Sequence, residues 1–151
     1  MRSRRVDALT ALSAVGVAIA AYLTFVAFDA NAEAFCTGVG DCRRVQDSQY
    51  ARVAGVPVAA LGLAMYIALL GLGLARRAGL TVLGPGTPRL LGTWTFALAF
   101  AGALYSGYLT YLEFFVIDAI CDWCVTSAAI VTTIAVLAWP DLRHPTSDAP
   151  P

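Results

Sequence analysis

The sequence predicts an all-α integral membrane protein, a four-transmembrane-helix bundle with an extracytoplasmic cap of loop and short helix. Three observations predict it. The chain of 151 residues is 59% hydrophobic and only 13% charged, about half the charge of a typical soluble domain. Four long stretches carry no charge at all. Four cysteines fall in the two connections that parity places on one side of those stretches. A soluble core of this size has no use for so much apolar surface, whereas lipid-facing helices require it. Formal net charge is zero, so no acidic or basic partner follows from the balance. All ten basic residues are Arg, in short clusters at the ends of the apolar runs, which gives no case for nucleic-acid binding.

Residues 8–28 form the first uncharged run. At about 1.5 Å per residue it crosses a hydrocarbon core of about 30 Å. It is longer than a signal-peptide core and is read as a retained helix. Residues 56–75 form the second run, with Pro57 in its first turn, where a missing N–H is harmless, and Arg76 and Arg77 behind it. Residues 90–112 form the third, between Arg89 and Glu113. Residues 125–139 form the fourth, with Cys121-Asp122-Trp123-Cys124 as its first turn and Pro140 as its stop. Residues 1–140 thus make one transmembrane domain. Residues 141–151, polar and proline-rich, are expected to be a disordered cytoplasmic tail. No internal repeat is visible.

Arginine placement orients the spans. Arg2, Arg4 and Arg5 precede the first, Arg76, Arg77 and Arg89 join the second to the third, and Arg143 follows the fourth. These flanks share one side, expected to be cytoplasmic, with both termini there. The third connection holds Glu113 and Asp118 and no basic residue, as an outer loop does. The first connection mixes Arg43, Arg44 and Arg52 with Asp29, Glu33, Asp41 and Asp47, which weakens the bias without reversing it. A multi-pass protein of the inner, or cytoplasmic, membrane is the expectation.

Cys36 and Cys42 lie in the first outer connection, and Cys121 and Cys124 where the second enters the last helix. All four therefore face one side, expected to be the oxidising one, where disulfides persist. A CxxC at a helix start brings two sulfurs within one turn, and the helix N-terminus stabilises a thiolate, the nucleophile of disulfide exchange. Cys36 and Cys42 enclose Gly38 and Gly40, and glycine keeps such a segment pliable, as a shuttle pair needs. Two alternatives stand beside this redox reading. One is a pair of inert disulfides stapling the outer loops of a non-catalytic tetraspan module, which seldom uses CxxC spacing. The other is a four-thiolate zinc site, which an oxidising compartment disfavours.

The sequence resembles the vitamin K epoxide reductase family, in particular its bacterial members, over residues 21–137. The resemblance rests on Cys36-x5-Cys42-x5-Ser48, on Gly55-Val56-Pro57-Val58 with Leu61-Gly62-x3-Tyr66, and on Cys121-x-x-Cys124 opening the last helix. In the other four-helix, quinone-coupled disulfide oxidase the CxxC comes first rather than last. The resemblance implies a protein-thiol:quinone oxidoreductase in which Cys36 meets the partner's thiol, Cys42 bonds Cys121, and Cys124 passes electrons to a membrane quinone, menaquinone or ubiquinone. It implies that Ser48 and Tyr50, with Cys124, bind the quinone. Ser48 and Tyr50 fall in a short capping helix, where the family often has Trp in place of Tyr50. Val58 and Ala128 stand where vertebrate members hydrogen-bond the quinone through Asn and Tyr, which leaves quinone reduction rather than epoxide reduction as the expected activity. The chain ends too soon for a fused thioredoxin-like domain, so the implied partner is a separate DsbA-like thioredoxin-fold protein on the outer side, itself oxidising secreted proteins. No metal is implied.

Tyr105, Tyr108 and Tyr111 recur every third residue. An interfacial aromatic belt with bundle packing is preferred to a quinone-pocket wall. Gly102, Ser106 and Gly107 suggest close helix approach. Trp123 is read as an interfacial anchor, and His144 lies in the polar tail, away from any catalytic role.

Overall fold

The computed structural model describes residues 2–29, 35–36, 40–79 and 86–143. Four long helices carry the fold: α1 (Arg2–Phe28), α3 (Val58–Arg77), α4 (Thr87–Leu112) and α5 (Asp122–Ala138). Each is long and apolar enough to cross a membrane, so the protein is a multi-pass membrane bundle. Between α1 and α3 lie a one-turn helix α2 (Cys42–Gln46), a 3₁₀ turn (Gln49–Ala51) and a two-stranded hairpin, β1 (Arg52–Val53) and β2 (Val56–Pro57). A π turn (Glu113–Ile117) follows α4, and a short helix α6 (Pro140–Arg143) follows α5.

Close approach of the helices depends on residues that are small at the crossing points, as in membrane bundles generally. Tyr66 is fully buried, and its ring lies against Gly16 so closely that a Cβ there would overlap it. Its hydroxyl donates to the Ser127 carbonyl at 2.8 Å. One side chain thereby ties α1, α3 and α5 together. Gly73 meets Thr10 in the same way, and Gly102 meets Met65 and Val131. Around Tyr66, the residues Leu69, Ala99, Val131 and Ile134 complete a core without solvent. Hydroxyls inside the spans return to their own helices: Ser13 donates to Leu9 O at 2.8 Å and Thr95 to Leu91 O at 2.7 Å. Lipid offers them no other partner. Large apolar side chains such as Leu104 and Val136 face outward, where a bilayer would meet them.

Several boundaries differ from the sequence reading. Helix α1 begins at Arg2 rather than at residue 8, because nothing in the polar first turns opposes helix. The second span starts at Val58, since Val56 and Pro57 pair with Val53 and Arg52 in antiparallel register. Ala54 and Gly55 turn that hairpin with φ of 50° and 84°, the positive values a two-residue turn requires. Pro57 is therefore the residue before the helix, not inside its first turn. Helix α5 ends at Ala138, just before Pro140 as expected, and Pro140 then opens the separate helix α6, from which Asp141 bonds Arg76 Nη2 at 2.6 Å. Residues 144–151, including His144, lie outside the described residues, as does Gly38. Gly102 packs as expected, whereas Gly107 has open space where a Cβ would sit.

Candidate active site

The first and third connections fold onto one another, and this brings the four cysteines together. Asp41 caps α2, its carboxylate accepting the Arg44 N–H at 3.0 Å, and α2 then points Cys42 inward. The Asp41 N–H donates to Ile120 O at 3.1 Å, tying the first connection to the residue before Cys121. Gly40 is wedged in this contact: a Cβ would stand 2.8 Å from Ile120 O and 3.3 Å from Cys36 Sγ. Glycine is needed here for closeness rather than for the pliability its sequence context suggested. Trp123 completes the clasp, its indole N–H donating to Phe35 O at 2.7 Å and its ring lying 5.3 Å from that of Tyr22. It joins the two cysteine pairs as well as anchoring a helix end.

Cys36 and Cys42 are joined in a disulfide, and Cys121 and Cys124 are free thiols. Cys42 and Cys121 are 1% and 0% exposed and share a small buried cluster with Val45 and Ala119, against which Cys36 and Cys124 pack. Cys42 and Cys121 are sealed, while Cys36 and Cys124 are both half-buried. Cys121 caps α5 rather than lying in its first turn. Its sulfur accepts the Cys124 N–H at 3.4 Å. The hydrogen bond from the Cys124 thiol holds the Cys121 thiol below its ordinary range, against its burial. Thiolate character in a CxxC is thus concentrated on the first cysteine.

Cys124 also lines a cavity of about 990 Å³ enclosed by α1, α3, α4 and the outer cap. That volume lies at the upper end of ordinary ligand pockets. Ser48 and Tyr50, the two cap residues singled out in the sequence, line it. Ser48 precedes the 3₁₀ turn and Tyr50 lies within it. Val58 lines it too, and so does Tyr105, while Tyr108 and Tyr111 stand more than half exposed on the outside of α4. The tyrosine row is therefore divided between cavity wall and outer belt.

Two further polar residues were not recognised in the sequence. Gln46 lines the cavity, and its Nε2 is buried with no partner among the described residues. An orphaned donor of this kind is costly unless a ligand accepts from it. Glu113 lines the cavity as well and is 2% exposed. Its Oε2 accepts the Cys121 N–H at 3.0 Å, which places the carboxyl group beside the dithiol. The signal was present in the sequence: an ionisable residue at the end of a span is functional by default, yet Glu113 was used only to orient the helices. Among the described residues no cluster of three or more His, Cys, Asp or Glu is arranged to hold a metal ion.

Four helices long and apolar enough to span a membrane thus bring a disulfide and a dithiol into one buried cluster, with Cys124 on the wall of a cavity. The vitamin K epoxide reductase family model matches residues 8–139, and the chain belongs to that family. Its members are oxidoreductases that use quinones and act with thioredoxin-like proteins, so this protein is a membrane redox enzyme.

Proposed function

We propose that the protein is a quinone-dependent thiol-disulfide oxidoreductase. It reoxidises a separate DsbA-like thioredoxin-fold protein on the extracytoplasmic face and so sustains disulfide formation in secreted proteins. One observation carries the reading: the loop disulfide and the helix dithiol share a single buried cluster, and Cys124 of that dithiol lines the cavity. Static staples would not need their sulfurs adjacent.

The cavity suits a quinone. It is walled mainly by apolar side chains, with Ser48, Tyr50 and the unpartnered Gln46 Nε2 as polar groups for ring oxygens. A quinone bound there accepts two electrons and two protons. This chain's residues do the rest. From the fully oxidised protein, a partner thiolate attacks Cys36 and releases Cys42, which attacks Cys121 and frees Cys124. The partner's second thiolate then frees Cys36. Cys36 closes on Cys42 and expels Cys121, whose lowered thiol range makes it the better leaving group. The protein is left with the loop pair oxidised and the helix pair reduced, the arrangement described above. The direction agrees with potentials, since a DsbA-type carrier near about −120 mV is recharged through the quinone pool.

The arginine bias supports both termini lying in the cytoplasm. The deciding experiment is quinone-dependent oxidation of a reduced thioredoxin-fold protein by the purified chain in lipid. Oxidation is expected to stop when quinone is withheld. Equal oxidation without quinone, or none with it, overturns the reading.

A further inference from the structure

Glu113 does more than a cap requires. The π turn that begins there carries one extra residue per turn, a distortion frequent at functional sites. It leaves the carboxylate inside the bundle, 2% exposed, at the outer end of a membrane span. From that position its Oε2 accepts the Cys121 N–H at 3.0 Å, which fixes the carboxylate against the start of the CxxC. It also borders the cavity that Cys124 lines. A buried carboxylate used only to hold a loop has no reason to stand against the dithiol and a ligand cavity together.

We propose that Glu113 is the general base and acid of the dithiol oxidation, carrying the Cys124 proton to the acceptor oxygen. This rests on the quinone-reduction reading above. The overall step is balanced. Cys121 and Cys124 lose two protons and two electrons as one S–S bond forms. The quinone takes up both pairs, its two carbonyls becoming hydroxyls. Glu113 removes the Cys124 proton, making the thiolate that is the reactive form. It then delivers that proton to the nearer ring oxygen and ends as it began. Cys121 has already given its proton to solvent as its thiolate forms, and solvent reaching the cavity returns the second proton to the other ring oxygen.

Other ionisable groups border the same space. Arg43 and Arg52 line the cavity from the cap. Arg43 pairs with Asp47 at 3.7 Å, and Arg52 donates to Ala27 O at 3.3 Å. Asp29, Tyr50, Tyr66 and Tyr105 line it too, Tyr66 being bonded to Ser127. Asp118 ends the π turn and Asp122 opens α5. Of these residues, Glu113 is the carboxylate that is both hydrogen-bonded to the CxxC and on the wall of the cavity.

The test is Glu113→Gln in the full-length protein in nanodiscs, with dithiothreitol as reductant and a short-chain naphthoquinone as acceptor. Glutamine keeps an acceptor for the Cys121 N–H, so a merely positional role predicts near-normal turnover. Proton carriage predicts a loss on the order of 10²-fold at neutral pH. It also predicts recovery of roughly tenfold per pH unit as solvent takes over deprotonation of Cys124, where the unaltered protein shows a shallower slope. Turnover at the unaltered rate, or a loss with an unchanged pH slope, overturns the assignment. If Glu113→Gln does not accumulate, Glu113→Asp is read instead. It should turn over more slowly with the original pH slope, and a steepened slope in this ionisable variant overturns the proposal. Failure of the unaltered protein to reduce the naphthoquinone is a different outcome, one that removes the quinone reading itself.

Discussion

The two ends of this bundle use buried charge in opposite ways. At the end holding the second-to-third connection, Arg76 is 7% exposed in its side chain and closes on Asp141, while Arg77 pairs with Asp7 at 2.8 Å. These two cations each have an anion facing them, drawn from another helix. At the cysteine end Glu113 is equally sunken, but it faces a thiol, a backbone N–H and a cavity. The first end is held shut by compensated charge. The second leaves its carboxyl group against the CxxC and on the wall of a cavity. Four helices of similar composition thus serve as a fixed base on one side and a working face on the other.

Substitutions can break this contrast. The largest effect is expected from Cys124→Ser, which should abolish quinone reduction while leaving exchange between Cys36 and a thioredoxin-fold partner intact. Quinone absorbance and mixed-disulfide trapping read the two halves separately, and full quinone turnover would refute the assigned order of the relay. Next, the double variant Cys36→Ser, Cys124→Ser leaves Cys42 and Cys121 without their own partners inside one buried cluster. It should accumulate a Cys42–Cys121 disulfide, seen as two linked peptides in non-reducing mass analysis. Recovery of both thiols free under oxidising conditions would make the two pairs independent staples.

The other end should respond in stability and not in chemistry. Arg76→Met strands Asp141, whose side chain is 22% exposed. Removing one partner of a fully buried pair costs about 3–5 kcal/mol. Partial solvent contact at Asp141 brings the expectation to the lower part of that range, measured as a lowered thermal midpoint, with turnover per folded molecule unchanged. A loss of turnover without a loss of stability would dissolve the distinction between base and working face. The smallest effect belongs to Gln46→Leu, which removes the orphaned donor from the cavity. If that donor holds a ring oxygen, loss of one neutral hydrogen bond, about 1 kcal/mol, raises the acceptor KM roughly fivefold and leaves exchange at Cys36 alone. An unchanged KM would leave Gln46 as wall only.

The spans were legible because charge is excluded from lipid over long runs, and that exclusion is written in composition. The two-by-two cysteine arrangement was legible from parity alone. Short-range geometry was not. Val56 and Pro57 read equally well as the start of a helix or as half of a two-residue hairpin, and only the positive φ at Ala54 and Gly55 decides between them. Gly40 was legible as a glycine but not as one pressed against Ile120, because that contact joins segments eighty residues apart. Glu113 and Gln46 escaped for the same reason. Their roles come from what surrounds them in space, and one residue at the end of an apolar run carries no mark of the sulfur it touches.

The indole of Trp123 sits between the two cysteines of the CxxC, yet its N–H is held by Phe35, the neighbour of Cys36. The other two tryptophans, Trp94 and Trp139, lie toward the opposite end of the bundle, where Trp139 packs on Phe96 at 5.4 Å. The working face therefore carries its own optical label. Any motion that lifts the loop disulfide off the helix pair must break that hydrogen bond and the one from the Phe35 N–H to the Tyr22 hydroxyl. With Trp94 and Trp139 replaced by Phe, emission from Trp123 alone would then follow the loop through each turnover, with no dye attached.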